Sequence, residues 1–306
     1  MTENQSCVGL NLTASKLQFV EVENESDNLL VNNFGQAFIN PPIYFDDQNE
    51  LQILEQLQAS FDELRIRKQI KSSTVSFTLP PELFITVQLP YDTNLNQTEI
   101  REEFNWEVSQ LYPFIRVEEL AIKFYELDSS FLPGNNNALV VALNKKYLLL
   151  IKKFCLHNSL TPKLVDNASI TANNFINSFY IDKKQITIHI FNSRSSITLF
   201  INISSKPAFV KVFPKRVVNY INKISEEISN KNIKAVTNNS HLVAIISGDD
   251  LDSEIVAEIG RGTELVFEKF NPFDIVKLKP EFQNNEIKLD NFSSFVSSAG
   301  IASRFK

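Results

Sequence analysis

Few side chains in this sequence are of a type and spacing that could do chemistry. Its 3 histidines, His157, His189 and His241, and its 2 cysteines, Cys7 and Cys155, have no neighbour at ligand spacing, so neither a metal site nor a disulfide framework is expected. Acids pair at Glu102-Glu103, Glu118-Glu119 and Asp249-Asp250. Paired acids can serve general acid-base catalysis, but these fall on polar turns and helix faces where solvated carboxylates are ordinary. Ser72-Ser73 and Ser195-Ser196 lack a histidine and acid to activate them, so nucleophilic catalysis is not expected. Phosphate chemistry remains. Residues 8–23, VGLNLTASKLQFVEVE, read as two alternating strands around a turn, a hairpin whose turn is the place to look for a phosphate loop. That turn carries neither acid nor glycine. Phosphate-cradling loops need glycine so that backbone amides can come close and adopt positive φ. The whole chain holds 7 glycines in 306 residues, far below the usual share of about 7%.

The elements that must position this hairpin follow from hydrophobic periodicity. A third strand is expected near 29–34, then an amphipathic helix over 49–66 with Leu51, Leu54, Leu57, Phe61 and Leu64 on one face, and a strand over 73–80. The next segment reads as an inserted module: strand 83–90, helix 96–113 with Ile100, Phe104, Val108 and Leu111 at helical spacing, strands 121–128 and 137–144, and helix 145–158. Strand 163–166 and helix 167–179 return to the first unit. From Gln185 three strands joined by tight turns repeat the opening arrangement, followed by helix 215–230, strand 242–247, helix 251–259, strand 264–270 and a last helix near 291–303. Two halves that open alike suggest an internal duplication. The chain therefore divides into a first half (1–81), an inserted module (82–160), a return (161–184) and a second half (185–306).

Composition excludes several classes. With 43% apolar residues the chain can bury a core in each half. No apolar run reaches membrane-spanning length and Met1 to Ser6 is polar, so neither a span nor a secretory signal is expected. A net charge of −6 with no basic stripe argues against nucleic acid.

The chain resembles the type IV pilus assembly protein PilM family of the actin-like ATPase superfamily, which also holds FtsA. Val8-Gly9-Leu10-Asn11-Leu12-Thr13 through Val22 is similar to that family's first phosphate hairpin, V-G-I-D-I-G-S-S-S-(I/V)-K-x-V-E-L. Tyr112-Pro113-Phe114, Glu118-Glu119 and Phe124 match its module segment, Asn271-Pro272-Phe273 its Asn-Pro-Phe, and FVSSAGIASRF its ending. The resemblance implies an α/β, duplicated actin-like (ribonuclease H-like) fold with an inserted strand-helix-strand-strand subdomain of SHS2/1C type. The departures gather at one site. Asn11 stands for the family's aspartate, Thr13 for its glycine and Gln18 for its lysine. His189-Ile190-Phe191 stands for its second D-I-G, and Ser247-Gly248-Asp249-Asp250 for its S-G-G-G. Phe213-Pro214-Lys215 replaces a Phe-Gly-Gly turn.

Magnesium-phosphate centres need hard oxygen ligands, and electrostatic positioning supplies most of phosphoryl-transfer catalysis. Asn11, Thr13, Gln18, His189, Phe191, Gly248 and Asp249 therefore read as a vestigial nucleotide pocket, with ATP and magnesium binding lost or weak and His189 a structural residue. The resemblance implies a cytoplasmic scaffold of a pilus, secretion or motility platform. It would be held at the inner membrane by the tail of a PilN-like protein bound between the first half and the module. Trp106, Tyr112 and Phe114 are candidate contacts, with a core role equally open to them, and homo-oligomer formation is open as well. The last helix is expected to pack on the second half rather than enter a membrane. The alternative is an active actin-like ATPase, or a filament-forming membrane tether like FtsA or GspL.

Overall fold

Alternating apolar residues run the opening strands back on one another, and the hairpin starts a sheet. The computed structural model describes residues 6–25, 28–45, 49–129, 136–180, 185–230, 241–249, 251–279 and 292–304. Strands β1 (Ser6–Leu12), β2 (Lys16–Glu25) and β3 (Asn28–Phe38) pair antiparallel. Helix α1 (Glu50–Arg67) then crosses over, so that β4 (Thr74–Leu79) lies parallel to β1. The Asn49 side chain caps α1 by accepting from Gln52 N at 2.9 Å. Its buried face is Ile53, Leu57, Ser60, Phe61 and Leu64. Leu51, expected on that face, is largely exposed because the helix is rotated to bring Ile53 inward instead.

The module is β5 (Phe84–Pro90), α2 (Gln97–Leu111), β6 (Leu120–Glu126) and β7 (Asn137–Asn144), a three-stranded sheet ordered β5-β7-β6. A reciprocal Asn96/Glu99 capping box starts α2. Ile100, Phe104 and Val108 fill the module's core, whereas Leu111 ends the helix and stays half exposed. Helix α3 (Lys145–His157) buries Tyr147, Leu150, Ile151, Phe154 and Cys155 among residues of α1, β1 and β4. Strand β8 (Thr161–Asn167) adds parallel to β4 and leads into α4 (Ala168–Asn177).

The second sheet repeats the first. Strands β9 (Gln185–Asn192), β10 (Ser196–Ile203) and β11 (Lys206–Pro214) are antiparallel, and α5 (Tyr220–Asn230) precedes β12 (His241–Gly248), parallel to β9. Helix α6 (Ser253–Thr263) ends at Glu264 in the left-handed conformation, φ 56°, and the strand expected over 264–270 shrinks to β13 (Glu268–Lys269). The sheets run β3-β2-β1-β4-β8 and β11-β10-β9-β12-β13, one order used twice, as an actin-like duplication requires. A two-residue strand not foreseen, β14 (Lys277–Leu278), extends the first sheet beside β3.

Helix α7 (Val296–Ser303) departs from expectation: it packs on β1, β2 and β4 of the first sheet and along α4, with only slight contact to the second half. Gly9 is the physical reason. A Cβ there would stand 2.0 Å from Ser298 O and 2.8 Å from Ala302 N, so only a residue without a side chain lets the α7 backbone lie on β1. Phe295 of the preceding turn joins Phe34 and Phe273 in an aromatic cluster below it.

Gly9→Ala forces this helix off the strand and should lower unfolding stability by about 3 kcal/mol. The urea midpoint of the variant against the parent checks this; equal midpoints refute the close approach.

Candidate functional site

The two sheets face each other across a cleft bounded by the tips of equivalent hairpins. In the first turn Thr13 Oγ1 accepts from Ser15 N at 3.3 Å and Lys16 N at 3.1 Å, while Thr13 N donates to Lys16 O at 2.9 Å. In the second, Ser193 Oγ accepts from Ser196 N at 3.2 Å, and Ser193 N donates to Ser196 O at 2.9 Å. The same hydroxyl-closed turn is used twice. Its consequence is chemical: amides that a glycine loop would turn toward a phosphate are bonded here to the turn's own hydroxyl.

Beneath the first turn lies a chain of neutral amides. Asn11 Nδ2 donates to Gln18 Oε1 at 3.1 Å, Thr78 Oγ1 donates to Asn11 Oδ1 at 2.8 Å, and Gln18 Nε2 reaches Ser294 Oγ at 2.8 Å and Gln36 Oε1 at 3.2 Å. Asn11 and Gln18 are cross-strand partners. A carboxylate and a lysine expected by resemblance are thus a matched, uncharged pair, fully buried and mutually satisfied.

The register of the second hairpin corrects one assignment. Leu12–Leu17 closes the first turn and Asn192–Ile197 the second, so Asn11 corresponds to Phe191 and not to His189. Phe191 lines the cleft. His189 lies two residues further in, wholly buried. Its Nδ1 meets Asn173 Oδ1 at 3.1 Å, its Nε2 meets Ser247 Oγ at 2.9 Å, and its ring stacks on Phe200. Since Asn173 Oδ1 can only accept, Nδ1 carries the proton and Nε2 accepts from Ser247. Burial pushes this imidazole down to a pKa of about 3.

On the far wall Gly248 has φ 112°, and a Cβ on it would meet Asn192 O at 2.1 Å. This close approach lets Asp249 N donate to Asn192 O at 2.8 Å while Asn192 Nδ2 donates to Asp249 O. The Asp249 carboxylate, so fixed, lies 3.2 Å from Lys16 Nζ of the first turn, with both side chains under 10% exposed. Ser193 Oγ also donates to Glu82 Oε2 at 3.1 Å. The space left among Asn11, Thr13, Pro81, Phe191, Ser193 and Asp249 is about 10 Å³, room for the centre of one water. Ligand pockets are on the order of hundreds of cubic ångströms. Asp250 lies outside the described residues.

Asn11, Thr13, Phe191 and Asp249 therefore converge on the cleft, Gln18 and Gly248 support it from behind, and His189 does not reach it. Lys16, Asn192 and Ser193 were missed by sequence reasoning; the constant offset between the turns Thr13–Lys16 and Ser193–Ser196 was the signal that could have found them. Trp106 on α2 and Phe114 just after it are 60% and 99% exposed, and Tyr112 is half-buried against the module core. Among the described residues no three His, Cys, Asp or Glu side chains gather as a metal site would need.

A histidine neutral in the fold but free to protonate when unfolded makes stability depend on pH. The unfolded state binds the extra proton below about pH 6.5, so folding stability falls as pH drops from there toward 3, by up to about 1.4 kcal/mol per unit. His189→Gln should flatten that slope in urea titrations at pH 7, 6 and 5; an unchanged slope refutes the buried neutral imidazole.

Comparison with known proteins bears on the fold and the family. The chain has no match among curated proteins. Solved structures that match it include two over most of their length. The "PilM-PilN type IV pilus biogenesis complex" matches at TM-score 0.75 and 15% identity, over 97% of this chain and 98% of that one. A Bacteroides thetaiotaomicron protein "with actin-like ATPase fold and unknown function" matches at TM-score 0.53 and 11% identity, over 88% and 92%. The sequence profile described as type IV pilus assembly protein PilM matches residues 9–221, well over half the length. With that match and the twice-used actin-like sheet behind it, the chain belongs to the PilM family of type IV pilus assembly proteins.

Proposed function

We propose that this PilM-family chain is a non-catalytic scaffold that binds the cytoplasmic tail of a PilN-like inner-membrane protein and is held at the membrane by it. The observation that carries the non-catalytic reading is the closed cleft. Its turn amides are internally bonded, Asn11 and Phe191 stand where acids would hold magnesium or water, and about 10 Å³ is left between them. Phosphoryl transfer depends on positioned charge, and losing such groups costs on the order of several kcal/mol of transition-state stabilisation. Partner binding is supported by the likeness along nearly the whole chain to the PilM of a PilM–PilN complex. It is also supported by what the module offers. Aromatic anchors dominate the energetics of protein interfaces, and Trp106 and Phe114 project from the module without a share in its core. Extended tails are captured at grooves and sheet edges, and β6 is an edge of the module's sheet. Among the described residues no helix is long and apolar enough to cross a membrane, which fits recruitment through a partner.

Calorimetric titration tests both parts. ATP up to millimolar concentration, with or without magnesium, should give no binding heat, and a peptide of the PilN-like tail should bind. Magnesium-dependent micromolar ATP binding would replace the scaffold with a nucleotide-gated protein. Phe114→Ala should weaken the peptide by about tenfold while moving stability by less than about 0.5 kcal/mol, because the ring is wholly exposed. Unchanged peptide affinity in Phe114→Ala and Trp106→Ala alike removes these residues from the interface.

A further inference from the structure

An acid of the second half reaches across the cleft to a cation of the first. Asp249 projects from the end of β12 in the second half to Lys16, the first residue of β2, at the rim of the first turn. The main chain that carries it is held: Gly248 at φ 112° brings Asp249 against Asn192, where Asp249 N donates to Asn192 O and Asn192 Nδ2 donates to Asp249 O. With under 10% of either side chain exposed, the pair lies where salt screens little and where charges attract more strongly than at a surface.

Other ties cross the same division besides the amides of α4, three of them on the side of the module. Ser193 bonds Glu82, Gln88 Nε2 of β5 donates to Val210 O of β11, and Asp128 N donates to Pro207 O at 2.8 Å. Two of these tie the module directly to the edge strand of the second half.

We infer that the Lys16–Asp249 ion pair is an internal latch that does the closing work of a bound phosphate, keeping the mouth of the cleft shut without any ligand. The inference rests on the reading that no nucleotide occupies the cleft, and adds to it a specific consequence: the partner-binding surface is presented in one fixed arrangement at all ATP levels.

Hydrogen exchange of the full chain, followed by mass spectrometry, tests it. Lys16→Gln and Asp249→Asn should each speed exchange about tenfold at both turns and at the Asp249 amide or its replacement, while the core of β9 and β10 keeps its protection and shows the fold intact. The charge swap Lys16→Asp with Asp249→Lys should recover much of the lost protection. Unchanged exchange at both turns in the single variants overturns the latch, as does acceleration that the swap leaves uncorrected. Protection of the parent's turns by millimolar magnesium-ATP overturns instead the nucleotide-free reading beneath it, so the two failures are told apart.

Discussion

Everything in this fold hangs on two buried helices, α4 set between the sheets and α7 seated on the first. Helices α4 and α7 lie against each other, with Gly300 of α7 so near Thr171 and Phe175 that a Cβ there would sit 3.0–3.1 Å from their atoms. Nearly every residue of both helices is buried. A helix without a solvent face has to satisfy every polar side chain inside the protein, at a cost of about 1–3 kcal/mol for each one left alone. Small residues solve half of this problem: Ser297, Ser298, Ala299, Gly300 and Ala302 let backbones approach and add little polar burden. Most of the other half is met on α4, where Asn173 and Asn177 both donate to Asn202 Oδ1 and Asn202 donates back to Asn173 and to Thr187 O, while Thr171 Oγ1 and Asn177 Oδ1 have no partner among the described residues.

That network explains what His189 is for. It continues the chain of amides from Asn173 to Ser247, joining α4, β9 and β12 through uncharged hydrogen bonds. A cationic imidazole in the same place would be an unpaired buried charge. The first half follows the same rule with Thr78, Asn11, Gln18 and Ser294. Both halves thus fill the centre of an actin-like architecture with neutral polar pairs, and the interior charge at the cleft mouth is kept to partners that belong to the chain itself.

Much of this was legible in the residues. Period-two runs gave both opening hairpins, and asparagines 49, 96 and 144 mark helix starts by capping them. Trp106 follows the core residue Phe104 by two positions, which turns it about 200° around α2 and out to solvent. What stayed hidden was tertiary. Nothing near Gly9 says that residues 296–303 will lie on it, and nothing in Ser247-Gly248-Asp249 says that the carboxylate faces a lysine near the start of the chain. The His189 assignment failed for a subtler reason: similarity of letters placed the motif two residues away from where strand register places the hairpin.

The seat of α7 on β1 also fixes an order of events in the cell. Strand β1 leaves the ribosome long before the helix that covers it, so the face around Gly9 waits uncovered while all the elements between them are made. The first half can pair its strands and seat α1 and α3 early, but its other face closes only when α7 arrives. Domains of this size expose apolar surface while they wait. A nascent chain stalled before residue 292 would hold the strands of both sheets and still leave that face open, a client for chaperones.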